Sequence, residues 1–268
     1  MQETVLTVDN LSVVYPNGHR ALHDVHCQLR SGNCYGLVGV NGSGKSTLFN
    51  AIMGIVQPQT GTVSLDGQPI AAALRANAIA YVPQNDQIDH NFPILVRDVV
   101  MLGRYGHMNW LRQPRPVDRE KVAAALDRLA VANLADRQIG ELSGGQRKRV
   151  FLARALAQES RVILLDEPFT GVDVQTEYAV MDLLKQLRQE GYLMLVATHN
   201  LGAVPLYCNE TVLLNRTVIA AGPVKEIYTI ANLEKAFGSA LKNIGLGGIS
   251  IVSDDEHPAV FDHQGSSL

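Results

Sequence analysis

The segment Gly39-Val-Asn-Gly-Ser-Gly-Lys-Ser-Thr47 has the spacing GxxxxGK[ST]. Glycines in such a loop let backbone N–H groups turn inward and approach an anion closely. Lys45 adds a point charge, and Ser46 and Thr47 add hydroxyls, so the implied chemistry is polyphosphate binding with a metal ion. A helix starting near Lys45 points its positive end at the same anion. Lys45 is expected to reach the β- and γ-phosphates, and Ser46 to ligate Mg²⁺. Gly39, Asn41, Gly42, Ser43, Gly44, Lys45, Ser46 and Thr47 are therefore candidate nucleotide-binding residues. The bland alternative is a Gly-rich surface turn before a lysine. An apolar run, Cys34 to Val38, precedes the loop and a helical pattern follows it, as the phosphate reading requires.

A second site closes an aliphatic run, Val162-Ile-Leu-Leu-Asp166-Glu167. Two carboxylates at the end of a buried strand are costly without a partner. If that strand runs parallel to the one before the phosphate loop, Asp166 falls beside the Mg²⁺ and Glu167 is placed to polarise an attacking water. A strand end whose acids face solvent is the alternative. A third feature, Leu142-Ser-Gly-Gly-Gln146, precedes a strong helical segment, Arg147 to Ala157. Ser143 reads as its N-cap, and Gly144 and Gly145 expose backbone donors at the helix start.

The elements that must position these residues alternate between strand and helix, which argues an α/β fold. Residues 4–14 alternate apolar and polar before a turn at Pro16-Asn17-Gly18, the pattern of antiparallel strands. Lys45 to Ile55 reads as helix, and Val63 to Leu65 before Asp66-Gly67 as a hairpin edge. A helical insertion is expected over roughly residues 88–158, including Val117 to Ala132. Val162 to Leu165 and Leu193 to Ala197 read as buried parallel strands, and Val174 to Glu190 as an amphipathic helix. Residues 1–240 form the expected domain, and 241–268, Gly-rich and then acidic, a partly disordered tail.

Composition narrows the classes. The chain has 268 residues, 46% hydrophobic and 18% charged, with net charge −3, which excludes a disordered chain and disfavours a globally basic nucleic-acid binder. Cys27, Cys34 and Cys208 form no CxxC pair and fit a reduced compartment. No run of about 20 mostly apolar residues reads as a membrane span, and the N-terminal MQETVLTVDN lacks a basic head and an apolar signal core. A soluble chain is expected, with any membrane role coming through a partner.

In this order the motifs resemble those of the ATP-binding-cassette (ABC) ATPases, and the resemblance spans nearly all of residues 4–235. Gly39 to Thr47 looks like the Walker A loop, Val162 to Glu167 like Walker B, and Leu142 to Gln146 like the signature. Gln84 in Tyr-Val-Pro-Gln resembles the Q-loop glutamine, Asp173 the D-loop aspartate, His199 in Ala-Thr-His-Asn the switch histidine, and Tyr15 the aromatic that stacks on adenine. Gly171 is a mild departure in the D-loop, and Arg147-Lys148-Arg149 is more basic than the common glutamine-rich version. No role is carried over to that run. The resemblance implies a P-loop NTPase (RecA-like) core with an antiparallel β subdomain and a helical insertion, and ATP and Mg²⁺ as cofactors. It implies a head-to-tail pair of copies, in which Ser143, Gly144, Gly145 and Gln146 close over the partner's nucleotide. Catalysis falls to Lys45, Glu167 and His199, and the metal to Ser46, Gln84 and Asp166.

The stretch from Asp89 to Met108, which carries Phe-Pro, Asp-Val-Val and Gly-Arg-Tyr-Gly-His-Met in that order, is similar to the manganese, iron and zinc importers, closest to the manganese/iron branch. This implies a polytopic permease, an extracytoplasmic metal-binding protein acting indirectly, no nucleic acid, and a peripheral place on the cytoplasmic face of the membrane. Phe92, Arg104, Tyr105, Met108 and Trp110 are suited to anchor the permease. His90, His107, His257 and His263 lack ligand spacing and read as ordinary surface histidines, and Asp254-Asp255-Glu256-His257 as a solvated acidic tail. The alternative is an ABC-type ATPase outside transport, in cofactor assembly or chromosome maintenance. The latter needs long coiled coils between Lys45 and Ser143, where no sustained heptads occur.

Overall fold

The computed structural model describes residues 3–84, 93–238, 242–246, 249–253 and 258–262. Strands β1 (Val5–Val14) and β2 (Arg20–Arg30) pair antiparallel across the Pro16-Asn17-Gly18 turn. Strand β3 (Asn33–Val38) leads through the glycine loop into helix α1 (Lys45–Ile52). Helix α1 ends before Ile55 because Gly54 takes a left-handed φ of 67°. Strands β4 (Thr60–Leu65) and β5 (Gln68–Pro69) complete a four-stranded antiparallel sheet in the order β2-β1-β4-β5. Helix α2 (Ile70–Arg75) and strand β6 (Ile79–Val82) follow.

Next come α3 (Val96–Met101), α4 (Pro116–Arg128) and α5 (Gly144–Ala157), the helical insertion. No helix there exceeds 14 residues, so the described part holds nothing like a long coiled coil. Then come β7 (Val162–Asp166), α6 (Val174–Gln189), β8 (Leu193–Thr198), α7 (Val204–Tyr207), β9 (Glu210–Asn215), β10 (Thr217–Pro223), α8 (Val224–Ile227) and α9 (Ile230–Phe237). Strands β10-β9-β3-β8-β7-β6 form the main sheet, parallel except for β10.

Every residue of β7 and β8 is buried, which explains their unbroken aliphatic sequences. Alternate residues serve different faces. Val38, Ile163, Leu165, Met194 and Val196 pack with α3, α4, α5 and α6. Leu37, Val162, Leu164, Leu193 and Leu195 pack with α1 and the antiparallel sheet. The α/β core thus has a layer on each side of one sheet.

One surface expectation is corrected here. Arg104 is 3% exposed and is no free anchor. Its Nε donates to Asp118 Oδ1 (3.2 Å), and its Nη1 to the Ala157 carbonyl (2.8 Å) and Glu159 Oε2 (2.7 Å). A buried guanidinium is tolerable only with such partners. Asp118 also accepts from the Arg115 main-chain N–H and Nε, closing the start of α4. These bonds, from Arg115 first and Arg104 next, hold the Asp118 carboxyl at about 2 against the opposing effect of desolvation.

The segment beyond residue 240, expected to be partly disordered, contains β11 (Lys242–Leu246), β12 (Ile249–Ser253) and β13 (Pro258–Asp262) in a three-stranded antiparallel sheet. The β-branched residues Ile244, Ile249, Ile251, Val252 and Val260 are the local signal for strand there. His90, Phe92, His257, His263 and the run 254–257 lie outside the described residues.

A carboxyl held low when folded stabilises above its unfolded pKa, and that stability is lost as pH falls through the folded value. Asp118→Asn should lower the melting temperature at pH 7 by roughly 5 °C or more. It should also flatten the decline in stability between about pH 4 and pH 2. Thermal melts across that range check both; an unchanged acid slope would show that Asp118 does not carry it.

Candidate functional site

Four adjacent parallel strands end level at one edge of the sheet. In register, Val38 of β3 lies opposite Thr198 of β8, Asp166 of β7 opposite Ala197, and Val82 of β6 opposite Leu165. The next residues in the chain are Gly39, His199, Glu167 and Pro83-Gln84. All four candidate loops therefore leave the carboxyl ends of neighbouring strands, where α/β sheets form their ligand crevices. The acidic strand is not next to β3, as a simple parallel pair would have it. Strand β8 lies between them, which brings His199 to the centre.

The resulting cleft has a volume of about 620 Å³. It is lined by Tyr15, Asn41, Gly42, Gly44, Lys45, Ser46, Thr47, Gln84, Asp166, Glu167 and His199 among others. Gly39 must be glycine: a Cβ there would lie 2.1 Å from the Leu214 carbonyl oxygen and 2.6 Å from Ser43 Oγ. Gly44 has φ 102° and forms the N-cap of α1, where a Cβ would meet the Ala21 carbonyl oxygen at 2.8 Å. The Lys45 ammonium is held on the loop, donating to the carbonyls of Gly39 (2.6 Å) and Val40 (3.2 Å). The Tyr15 hydroxyl is hydrogen-bonded to Thr47 Oγ1 at 3.1 Å.

Opposite the lysine stand two buried carboxylates. Glu167 adopts φ 48°, unusual for a side-chain-bearing residue, and its N–H donates to the Ala197 carbonyl at 2.9 Å. That turn directs its Oε1 to within 2.8 Å of His199 Nδ1. Asp166 accepts from the Tyr81 hydroxyl at 3.4 Å. Burial, then the Glu167 charge, raises the Asp166 pKa, while Lys45, Tyr81 and Lys148 oppose the rise. Burial lowers the Lys45 pKa, and the charges of Glu167 and Asp166 oppose that.

The segment that resembles the signature, Leu142 to Gln146, lies elsewhere. Ser143 caps α5: its Oγ accepts from the Gln146 N–H (3.3 Å), and Gln146 Oε1 accepts from the Ser143 N–H (3.0 Å). Gln146 thus serves its own helix cap. Ser143 and Gly144 are exposed and are absent from the cleft lining. Gly145 packs on the D-loop of the same chain, where a Cβ would meet Thr176 Oγ1 at 3.0 Å and Asp173 Oδ2 at 3.1 Å. Asp173 caps α6, accepting from the Thr176 N–H (2.9 Å) and Oγ1 (2.8 Å). The sequence reading missed His19, Ala21, Phe169 and Thr170 in the cleft wall, and Tyr81 and Lys148 beside the acids. Tyr81 stood in plain view three residues before Gln84; the others had no local signal.

The donor set fits a nucleotide polyphosphate: positive-φ glycines, a lysine, and a buried Ser43 hydroxyl with no hydrogen-bond partner under the loop. Ser46, Gln84 and Asp166 offer hard oxygen donors on the same cleft, as Mg²⁺ prefers.

A family model described as ABC transporter matches residues 22–170, from β2 past the signature and the acidic strand end. The chain belongs to the ABC transporter family. It is an ABC-type ATPase with the P-loop NTPase fold. It is 54% identical to the chelated iron transport system membrane protein YfeB of Yersinia pestis, over 96% of this chain and 90% of that one. It is 53% identical to the manganese transport system ATP-binding protein MntA of Synechocystis, over 87% and 90%. Among solved structures it is similar to a metal-chelate type ABC transporter in an inward-facing conformation, with TM-score 0.79 and 30% identity over 99% of this chain and 97% of that one. No described helix of the ATPase is long and apolar enough to cross a membrane.

Gly39→Ala should displace the loop, because the new methyl group has no room beside the Leu214 carbonyl. ATP affinity should fall by about tenfold or more, a cost of roughly 1.4 kcal/mol at least. Titration with a fluorescent ATP analogue measures this, and an unchanged affinity would mean that the loop yields without losing its shape.

Proposed function

We propose that this ATPase powers an importer of divalent metal ions, manganese or iron first and zinc next, from the cytoplasmic face of the membrane. The ATPase chemistry rests above all on one observation: Lys45, Asp166, Glu167, His199 and Gln84 share a single cleft. The likeness to YfeB and MntA supports metal import.

Lys45 and the loop amides bind the β- and γ-phosphates, and Tyr15 stacks on the adenine. Ser46, Asp166 and Gln84 would hold Mg²⁺, which would neutralise phosphate charge. Glu167 orients water toward the γ-phosphorus; the water oxygen bonds to it as the bond to the bridging oxygen of ADP breaks. His199, hydrogen-bonded to Glu167, keeps that carboxylate aimed into the cleft and faces the γ-phosphate. The signature of a second copy completes the site: Ser143 and the amides of Gly144 and Gly145 approach the γ-phosphate head-to-tail, and Asp173 lies at the same junction. Because only ATP carries that group, its binding favours the closed pair and hydrolysis releases it.

The permease docks where the insertion meets the core. A groove there is lined by Met53, Leu74, Asn77, Tyr81, Leu102 and Arg154. Beside it in the chain, Tyr105 and Leu111 are more than half exposed and Trp110 is 86% exposed. Met108 is half-buried, and Arg104 belongs to the interior. Choice of ion is assigned to the permease and the extracytoplasmic binding protein, and no nucleic acid takes part.

Glu167→Gln should reduce turnover by about 100-fold or more while ATP still binds, giving a stable ATP-dependent dimer. Phosphate release and size-exclusion chromatography read the two effects, and near-normal hydrolysis would remove Glu167 from this role. In cells, deleting the chain should abolish uptake of radioactive manganese or iron, and Lys45→Ala should fail to restore it. Normal uptake of manganese, iron and zinc in the deletion strain would refute metal import.

A further inference from the structure

The basic run after the signature has no part in the mechanism above, yet its middle residue is buried. Lys148 is 5% exposed, one helical turn beyond Gly144 on α5. Its ammonium donates to the main-chain carbonyl oxygen of Gln84 at 3.1 Å. Its charge also acts on Asp166. The same first turn of α5 rests on the D-loop: a Cβ at Gly144 would lie 3.2 Å from the Gly171 carbonyl oxygen, and Gly145 packs on Asp173 and Thr176. Three pieces of the machinery therefore meet at one helical turn. Two of these contacts are van der Waals packing, which permits sliding. The third is a charge-assisted hydrogen bond to main chain, which fixes a distance.

We propose that Lys148 is a positioning residue of the ATPase cycle, a tether that holds the signature turn at a fixed distance from the nucleotide-facing Gln84. Movement of Gln84 on ATP binding is then passed to Ser143 and Gly144 through this bond. A main-chain acceptor makes the tether independent of the glutamine side chain, which stays free to meet the metal. The lysine is suited to it because burial of its stem on α5 leaves few ways for the ammonium to turn. The proposal rests on the head-to-tail reading above, through which the signature turn reaches a nucleotide.

The test compares Lys148→Met, Lys148→Arg and Lys148→Gln in the full chain. Losing one charge-assisted bond should lower kcat by about tenfold in Lys148→Met, with ATP affinity in the absence of Mg²⁺ within about twofold of wild type. In a Glu167→Gln background, the ATP concentration needed for dimerisation should rise by about tenfold. Lys148→Arg, which keeps charge and donor, should restore both values to within about threefold of wild type. Lys148→Gln, a neutral and shorter donor, should fall between Arg and Met, and it carries the test if Lys148→Met does not melt cooperatively. Wild-type kcat in Lys148→Met, or in Lys148→Gln where that replaces it, overturns the proposal. So does an equal loss of ATP affinity, which would make Lys148 a nucleotide ligand, and so does failure of Lys148→Arg to rescue a folded protein. If Glu167→Gln alone forms no ATP-dependent dimer, the head-to-tail reading fails and the tether falls with it; a Glu167→Gln dimer whose ATP requirement Lys148→Met leaves unchanged overturns the tether alone.

Discussion

Two adjacent carboxylates and a lysine, all buried, line one open cleft, and the rest of the molecule is arranged around keeping those charges together. Asp166 and Glu167 repel each other and lose hydration, which would favour protonation of Asp166. Lys45 and Lys148 oppose this from two sides, one from the phosphate loop and one from α5. The hydrogen-bonding helpers are specific: the Tyr81 hydroxyl on Asp166 and the His199 ring on Glu167. A site balanced in this way is ready for a polyanion and a divalent cation, which bring opposite charges to opposite walls.

The parallel sheet makes this balance possible at low cost. Its strands are apolar on both faces and need partners on both sides, so the helices and the antiparallel sheet are pinned by burial. The chemistry is confined to the one edge where strands give way to loops. The αL backbone of Glu167 is a local price of that arrangement, held by its N–H bond to Ala197 in the neighbouring strand. The same edge brings β8 between β3 and β7, so that the histidine stands between phosphate loop and acids.

The helical insertion solves a different problem. It carries Leu142 to Gln146 away from the cleft and on to the start of α6, where Gly145 packs beside Asp173 and Thr176. It is held by an ion cluster in which Arg104 and Asp118 are buried and Glu159 is partly exposed, and by the capping box at Ser143. A cluster of this kind transmits a displacement as a unit, since any relative shift within it would leave a buried charge unpaired.

The motif residues and most elements were legible from the chain alone. The phosphate loop, the acidic strand end and the Ser143 cap announce themselves through glycine spacing, a buried apolar run and a serine before a helical segment, all effects of residues close together in sequence. The end of α1 at Gly54 was misjudged, because a left-handed glycine overrides the apolar pattern that runs past it, and the strands beyond residue 240 were not read. The fate of Arg104 was misread for a longer-range reason: whether a guanidinium meets solvent or carboxylates depends on Asp118 and Glu159, which only packing brings to it. Tertiary structure likewise decided the strand order that centres His199, the pairing of His199 with Glu167, and the placing of Lys148 on the Gln84 carbonyl. Sequence fixes which groups are present and what each can do locally. Folding alone determines which of them share a small, poorly hydrated space, where charge interactions become strong enough to matter.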